Sequence, residues 1–355
     1  MKSSRLVFIL FFVACAPIKE ESGYKNTKQT KYAKGFHFEL KEGEKRLVVD
    51  EPWPKAKKPI VYILKKPIDR LVVTSTSHLP YIEMLGAADR VVGFPNLKYI
   101  SSETFIKRGE EGLLTDLGPD GKINMELLLG VNPDAVVAFD MGGESQVLDK
   151  IEEAGIPVFY NSDFLEQSPL GRAEWIKFFG ALLDKEKIAD SIFMAIEKEY
   201  LRLNELASSA KNKPTILSGV VYGDTWFLPG GNNWAATFYR NAGGEYVWDA
   251  DTTSGWLELS FEAVYEKAHN ADMWIGTSTL NSRQEMLSQE GRYASFEAFE
   301  NGQVYNYSKK IGPNGGYDFF ESGYSRPDLV LGDLIKILHP ELLPEYETVY
   351  FEKLP

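Results

Sequence analysis

Hydrophobic and polar positions alternate most regularly between Asp184 and Lys211, where the pattern predicts one long amphipathic helix. Asp184 can cap its first turn, and Asn212 with Pro214 marks its end. At ~1.5 Å per residue this helix would extend roughly 40 Å, the width of a small domain. Charged residues occupy one face. The apolar stripe on the other face, with steps of three and four residues, is predicted to contain Ile188, Ile192, Ala195, Ile196, Leu203, Leu206 and Ala207.

Short buried strands alternate with helices on both sides of this long helix. The predicted strands are Leu71–Val73, Val91–Val92, Ala135–Phe139 and Pro157–Tyr160 before it, and Thr215–Val221, Tyr246–Val247, Met273–Ile275 and Val304–Tyr307 after it. Such alternation is typical of a mostly parallel sheet covered by helices. We therefore predict an α/β fold with two Rossmann-like lobes, joined by a single long α-helix and separated by a ligand cleft. One large α/β domain with a long surface helix is the alternative.

Two sequence patterns recur in the same order in both predicted lobes. A glutamate opens a short helix at Glu126 and again at Glu262. In each lobe an Asn-x-Asp pattern then leads into a buried strand, at Asn132 and at Asn270. A repeat of this kind indicates two similar lobes, although chance convergence of ordinary α/β patterns is the alternative.

The first residues have the features of a lipoprotein signal. Lys2 and Arg5 precede an apolar run that is too short to span a bilayer, and the sequence FVAC ending at Cys15 resembles a bacterial lipobox. Cys15 is the only cysteine of the chain, so we predict that it is the lipidated N-terminus. A signal peptide that is cleaved elsewhere is the alternative. Acyl chains on Cys15 would anchor the protein to a membrane without crossing it.

These patterns predict how the chain is divided. Residues 1–15 form the signal peptide, and residues 16–35 are a flexible polar tether. Residues 36–168 form the N-terminal lobe, 169–213 a helical linker that contains the long helix, and 214–355 the C-terminal lobe. Within the N-terminal lobe, residues 94–122 are predicted to be irregular, as in a binding loop or a lid.

Charge and composition exclude several kinds of partner and chemistry. The formal net charge of −12 opposes binding to nucleic acid and general attraction to anionic lipid. The sequence contains no GxSxG, HExxH or Walker motif, and its four histidines are scattered. We therefore predict no catalytic residue, no metal site and no resident cofactor. A lipid-anchored α/β hydrolase, with His78 or His269 as its base, is the alternative class.

Aromatic side chains at predicted strand ends and loops are the remaining chemical feature. Ligands of open α/β sheets bind outside the carboxyl ends of the strands, where rings can line a cleft for a large, partly apolar ligand. For each ring singly, packing in the core is the alternative. The predicted ligand-binding residues are His78, Tyr81, Asn96, Phe139, Tyr222, Trp226, Phe227, Trp256, Arg240 and Arg283.

Taken in order, these patterns resemble the class III substrate-binding lipoproteins of ABC importers, which handle ferric siderophores, haem and cobalamin. The resemblance runs from Ile68 to Leu338 and rests on the lipobox, the two lobes, the long helix and the paired glutamates. It implies a monomeric, non-enzymatic protein on the periplasmic side of a bacterial membrane. Such a protein delivers a small-molecule metal chelate to an ABC permease with its ATPase. A surface lipoprotein without a permease partner is a further alternative.

The resemblance also implies roles for particular residues. Glu126 and Glu262 match the acidic residues that dock onto the permease, one on each lobe; the alternative is that each only complements a helix dipole. A ferric siderophore is the first candidate ligand. A corrinoid such as cobalamin is the second, because Phe139 and Trp256 match aromatic positions of cobalamin-binding relatives. Haem is the third, since the sequence shows no obvious pair of axial ligands.

Overall fold

The computed structural model describes residues 25–27, 30–41, 43–119, 122–142 and 145–355. The predicted signal peptide and Cys15 lie outside this range. The described strands are β1 (Lys25–Thr27), β2 (Phe36–Lys41), β3 (Glu44–Val49), β4 (Ile60–Ile63), β5 (Leu71–Val73), β6 (Val91–Phe94), β7 (Thr115–Asp116), β8 (Ala135–Ala138), β9 (Val158–Tyr160), β10 (Thr215–Leu217), β11 (Val220–Tyr222), β12 (Thr225–Pro229), β13 (Glu245–Tyr246), β14 (Trp256–Leu259), β15 (Met273–Ile275), β16 (Val304–Asn306) and β17 (Glu352–Lys353).

Helices separate most of these strands. The described α-helices are α1 (Leu79–Met84), α2 (Glu103–Glu110), α3 (Met125–Gly130), α4 (Gln146–Glu153), α5 (Pro169–Glu174), α6 (Ile176–Leu182), α7 (Glu186–Ser208), α8 (Trp234–Asn241), α9 (Phe261–Ala268), α10 (Arg283–Gln289), α11 (Glu297–Glu300), α12 (Asp318–Glu321) and α13 (Pro327–Leu338).

The N-terminal lobe is built on a parallel sheet with the strand order β7-β6-β5-β8-β9. Its central strands β5 and β8 are buried along their whole length, as apolar strands of a parallel sheet covered by helices on both faces must be. Since all five strands run in one direction, their carboxyl ends share one edge of the sheet. This arrangement confirms the predicted α/β lobe.

A second, antiparallel sheet with the order β1-β2-β3-β4 extends this lobe at its N-terminal side. The residues that precede β2 are held by two buried carboxylates. Glu174 accepts hydrogen bonds from the backbone N–H groups of residues 31–33, at 2.7–3.0 Å, and Glu166 accepts from those of Lys34 and Gly35. The prediction of a flexible tether is therefore wrong for residues 30–35, because distant side chains satisfy their backbone.

The C-terminal lobe has its own sheet, with the order β13-β10-β15-β16-β17, in which only the edge strand β17 runs antiparallel. Strands β11, β12 and β14 form a small antiparallel sheet beside it. The predicted strand from Thr215 to Val221 is divided between the two sheets at Gly219. Gly219 has a φ of 80°, and a Cβ atom there would lie 1.9 Å from the carbonyl oxygen of Phe227, so the chain can turn here only at a glycine.

Helix α7 is the long helix that the sequence predicts, and it joins the two lobes. It packs against α6 on the N-terminal side and against α13 and α8 of the C-terminal lobe. Its buried stripe is rotated from the predicted one: Ile188 is 43% exposed and Ala195 is also exposed. The observed buried stripe follows steps of four and three residues. It consists of Ala189, Phe193, Ile196, Tyr200, Leu203 and Ala207.

One segment differs from the sequence-based expectation. The described residues between 94 and 122 are not irregular, since they contain α2 and the edge strand β7. The predicted helical linker begins with two short helices, α5 and α6, that meet at Trp175. Ser168 caps α5, because its Oγ accepts a hydrogen bond from the N–H of Gly171.

Candidate ligand-binding cleft

A cavity of ≈ 580 Å³ lies at the carboxyl ends of the C-lobe strands. Its floor comes from the residues that follow β10 and β15, namely Ser218 to Gly219 and Gly276 to Leu280. The hairpin of β11 and β12 forms one side, and Trp256 at the start of β14 continues it. The position agrees with the rule that open α/β sheets bind ligands outside the carboxyl ends of their strands.

Aromatic rings form the other wall of this cavity. The ring of Tyr307, directly after β16, is stacked on Phe319 at 4.7 Å and meets the edge of Phe320 at 4.9 Å. Trp234 lies edge-on to Tyr324 at 5.1 Å. Burial raises the pKa of Tyr307 above its ordinary value, so its hydroxyl stays neutral. The wall therefore presents flat, uncharged surfaces.

Three of the predicted ligand-binding residues line this cavity: Tyr222, Phe227 and Trp256. Tyr222 is 80% exposed and Trp256 is 63% exposed, which is unusual for such large rings. Both lie at the ends of strands in the small antiparallel sheet, where Tyr222 is paired with Thr225 and Trp256 with Pro229 of β12. They form an open rim above the buried wall.

Two predicted residues lie at the corresponding edge of the N-lobe sheet. Phe139 directly follows β8, is 41% exposed, and contacts the ring of Phe164 at 6.4 Å. Asn96 follows β6 with a left-handed φ of 64°, and its backbone N–H donates to the Asp116 carboxylate at 3.1 Å. Both residues therefore lie at the carboxyl edge of the N-lobe sheet. If a ligand binds between the lobes, this edge would form the wall opposite the C-lobe cavity.

The two lobes meet beside the ring wall. Arg172 of α5 is buried; its guanidinium lies 4.2 Å from the ring centre of Tyr324 and 5.1 Å from that of Trp234. The same guanidinium donates to the carbonyl oxygens of Asp163 and Phe164 in the N-terminal lobe. Arg172 therefore connects the N-lobe strand ends to the back of the cavity wall.

Three predicted ligand-binding residues do not line the cavity, because their side chains are buried in the lobes. His78 is 1% exposed and packs on the ring of Phe179; burial lowers its pKa to about 3, so the ring is neutral. Tyr81 is fully buried and donates to the carbonyl oxygen of Arg172. Trp226 is fully buried, stacks on Trp274 at 5.3 Å, and forms the centre of the C-lobe core.

Two predicted polar residues, Arg240 and Arg283, also lie outside the cavity lining, and other groups hold both guanidinium groups. Arg240 pairs with Asp249 at 2.6 Å and donates to the carbonyl oxygen of Gly231. Arg283 lies over the ring of Phe299 at 4.7 Å and donates to its carbonyl oxygen. Neither arginine lines the cavity.

Sequence reasoning missed Trp234, Tyr307 and Tyr324 as wall residues. A signal for Tyr307 was present, since it is the last residue of a predicted strand and so lies at the ligand edge of the sheet. Alternation within β12 could also have separated Phe227 from Trp226, because neighbouring strand residues point to opposite faces. Trp234 and Tyr324 lie on a helix and a loop, whose facing residues depend on tertiary packing.

The paired glutamates lie at the N-terminal ends of two short helices. Glu126 is exposed on α3, whose first turn is capped by the Asn124 side chain. Glu262 is exposed on α9, which Ser260 caps in the same way. The two sites are not equivalent, since Glu262 forms an ion pair of 3.1 Å with Arg292.

The histidines named for the hydrolase alternative do not form a catalytic pair. His78 is buried, and its Nδ1 has no hydrogen-bond partner among the described residues. His269 contacts the carbonyl oxygen of Tyr265 through Nδ1, at the C-terminal end of α9. Within the described ranges, no group of three His, Cys, Asp or Glu side chains is arranged to hold a metal ion. None of the described helices is both long and apolar enough to cross a membrane.

Two lobes joined by one long helix, with a ring-lined cavity at the strand ends, define a class III periplasmic binding protein. The sequence agrees, since residues 71–311 match the family described as periplasmic binding proteins, and the chain belongs to that family. Members of this family bind substrates rather than transform them.

Individual relatives are distant in sequence. A lipoprotein of Methanocaldococcus jannaschii is 26% identical over 302 residues, which cover 82% of this chain and 70% of the relative. A possible iron-binding periplasmic protein of Staphylococcus epidermidis has the same fold, with a TM-score of 0.61 and 19% identity, over 77% of this chain and 100% of its own. The periplasmic heme-binding protein RhuT of Roseiflexus sp. RS-1 aligns with a TM-score of 0.59 and 20% identity. The alignment covers 77% of this chain and 99% of RhuT.

Proposed function

We propose that this protein captures a metal chelate in the cleft between its lobes and delivers it to an ABC permease. The observation that carries the proposal is the ring-lined cavity at the carboxyl ends of the C-lobe strands, with Tyr222 and Trp256 exposed at its rim. Exposing an aromatic ring to water costs free energy, and stacking the ring on a flat ligand is favourable. The names of two proteins of similar fold, one a possible iron-binding protein and the other a heme-binding protein, agree with a chelate of this kind.

The chelate is proposed to be a ferric siderophore. A corrinoid is the second candidate, favoured by the exposure of Phe139 and Trp256 on opposite lobes, where they could hold the two faces of a macrocycle. Haem ranks third, because none of the described residues that line the cavity is a histidine. The protein is proposed to act as a monomer.

A lipid anchor at Cys15 would hold the receptor at the membrane beside its permease. The proposal rests on the sequence FVAC at residues 12–15 and on the name of the Methanocaldococcus jannaschii relative as a lipoprotein. The anchored side is proposed to be the periplasmic face of a bacterial membrane. Mass spectrometry of the membrane-extracted protein tests this point: acylation of Cys15 supports it, and an unmodified or internally cleaved N-terminus contradicts it.

Tryptophan fluorescence of the intact protein in nanodiscs tests ligand capture. The titrants are ferric siderophores, cyanocobalamin, haem, and free Zn²⁺ or Mn²⁺. Saturable quenching by one class of chelate in the nanomolar to micromolar range would support the proposal. A response to bare ions only, or to none of the titrants, would overturn it. Trp256→Phe is the matched control, because it removes the exposed reporter while keeping a ring at the rim.

A further inference from the structure

The cavity contains no charge among its described lining residues. None of them is Asp, Glu, Lys, Arg or His. Its polar groups are hydroxyls such as those of Ser218, Ser278 and Thr279, the side-chain amides of Asn233 and Gln289, and backbone atoms. Such groups can orient a ligand by hydrogen bonds, but they cannot neutralise an ionised one.

Arg172, Arg240 and Arg283 already bind other groups. Arg172 is 6% exposed, lies over Tyr324, and donates to the carbonyl oxygens of Asp163 and Phe164. The guanidinium is therefore separated from the cavity by an aromatic ring. Arg240 and Arg283 are held by Asp249 and by the carbonyl oxygen of Phe299, as described above. None of these three arginines lines the cavity.

The surrounding charge also disfavours an anion. Asp140 follows Phe139 at the carboxyl end of β8, and the whole chain carries a formal charge of −12. Moving an ionised group from water into a site without an opposite charge costs free energy, because its hydration is lost and not replaced. A flat apolar face has the opposite preference, since the rings of Tyr307, Phe319 and Phe320 gain contact when water leaves.

We infer that the cleft selects a chelate without net charge, whose apolar face lies on the ring wall, and that it discriminates against anionic chelates. This inference rests on the proposed function and specifies its ligand. Two chemical sources meet the requirement: a ferric trihydroxamate, in which three anionic groups balance Fe³⁺, and a corrinoid with amide side chains. The cavity of ≈ 580 Å³ is within the usual range for a site that encloses a compact ligand or one arm of a larger one.

Calorimetric titration with matched pairs of probes tests the inference on the intact protein in nanodiscs. The iron pair is N-acetyl ferrioxamine B, which is neutral, and N-succinyl ferrioxamine B, which adds one carboxylate. The corrin pair is cyanocobalamin and its monocarboxylate. We expect the neutral member of one pair to bind at least tenfold tighter than the anionic member, and the responding pair identifies the source. Equal affinities within the responding pair, or tighter binding of the anion, would overturn the inference.

A charge placed at the rim provides a second readout. Tyr222→Lys puts an ammonium at an exposed position, and Tyr222→Gln is the uncharged control. We expect the lysine variant to reduce the neutral-to-anion affinity ratio severalfold, while the glutamine variant keeps that ratio. An unchanged ratio in the lysine variant contradicts the inference.

The outcomes separate this inference from the proposed function. Binding confined to ferric enterobactin or haem, which are both anionic, would keep the receptor function and overturn the selection of an uncharged chelate. If no chelate of any charge binds, the receptor function itself fails, and the inference fails with it.

Discussion

The carboxylate of Glu321 accepts a hydrogen bond from the backbone N–H of Ser101 at 2.7 Å and thereby joins the C-terminal lobe to the N-terminal lobe. It also accepts from the N–H of Ser102 at 2.9 Å, just before α2 begins. Glu321 is 1% exposed and belongs to α12, the helix whose Phe319 and Phe320 line the cavity. One short helix therefore contributes to both the lobe interface and the ring wall.

The titration of Glu321 should make the free energy of unfolding fall as the pH rises. Burial raises its pKa to about 7 from an ordinary value of 4.5, with Asp318 and Glu83 adding to the rise. Because the folded state binds this proton more tightly than the unfolded state, its contribution is full below pH 4.5 and is lost as the pH rises through 7. We expect the free energy of unfolding to fall by on the order of 3 kcal/mol across this window.

Urea denaturation from pH 4 to pH 8 measures the effect of this group. Glu321→Gln is the matched variant, since its side chain stays neutral throughout. It should show a smaller fall in the unfolding free energy than the wild type. Identical pH profiles of the two proteins would show that Glu321 does not titrate in this window. Asp163, whose pKa burial raises to about 6, contributes equally to both proteins and cancels in the comparison.

The buried carboxylate of Glu174 should determine whether the N-terminal segment stays attached. Glu174→Ala removes the acceptor of the N–H groups of residues 31–33 and the ion pair of Glu174 with Lys177 at 2.9 Å. We expect a loss of about 3 kcal/mol in unfolding free energy, and faster hydrogen exchange at those amides.

Glu197→Ala is the control for the Glu174 variant. Glu197 contacts the same segment through the Lys31 ammonium and the Tyr32 hydroxyl, nearer to the surface. Its removal should cost about 1 kcal/mol or less. Equal losses in the two variants would contradict a special role for the buried carboxylate.

Replacing Trp226 by alanine should lower the stability of the protein, whereas replacing Trp256 by alanine should lower its affinity for the chelate. Trp226 fills the C-lobe core against Trp274, so Trp226→Ala should cost about 3–5 kcal/mol of unfolding free energy. Trp256 is 63% exposed at the rim, so Trp256→Ala should change stability by less than about 0.5 kcal/mol. Its effect should be on chelate affinity, which we expect to fall about fivefold.

Urea denaturation and calorimetric titration of both tryptophan variants check these expectations. A stable Trp226→Ala protein with weakened chelate binding would mean that Trp226, and not Trp256, contacts the ligand.

Permease docking should depend on Glu126 and Glu262 and not on the cleft. The double variant Glu126→Ala and Glu262→Ala should keep the affinity of the wild type for the chelate and abolish permease-dependent uptake in cells. Normal uptake by this variant would rule out the docking role.

Arg292 offers a control that is specific to one lobe. Its guanidinium pairs with Glu262 and with Glu290, and lies 3.9 Å from the ring centre of Phe261. Docking requires Glu262 to exchange this partner for a group on the permease. Arg292→Ala should therefore leave uptake unchanged or raise it, whereas a fall in uptake would indicate that Arg292 itself belongs to the docking surface.

Local sequence patterns predicted most strands of the two parallel sheets because each depends on short-range signals. The bounds of β15 agree with the prediction residue by residue, since Asp272 precedes a short apolar run. The long helix was predicted from its period, and its buried face was predicted only in part, since Ile196, Leu203 and Ala207 are buried but Ile188 and Ala195 are exposed. Phe193 and Tyr200 face the lobes, because aromatic rings fill the space between α7 and its neighbours better than the aliphatic residues chosen from the sequence.

The sequence by itself determined the alternation of strands and helices, the linking helix, and the edge of each sheet where a ligand is expected to bind. These features follow from residue periodicity and from the direction of parallel strands. Only the tertiary structure decided that α7 begins after Lys185 without the expected cap from Asp184, that His78 is buried, that Arg240 is held by Asp249, and that Glu321 joins the lobes. Those outcomes depend on which distant groups meet, and no local pattern contains that information.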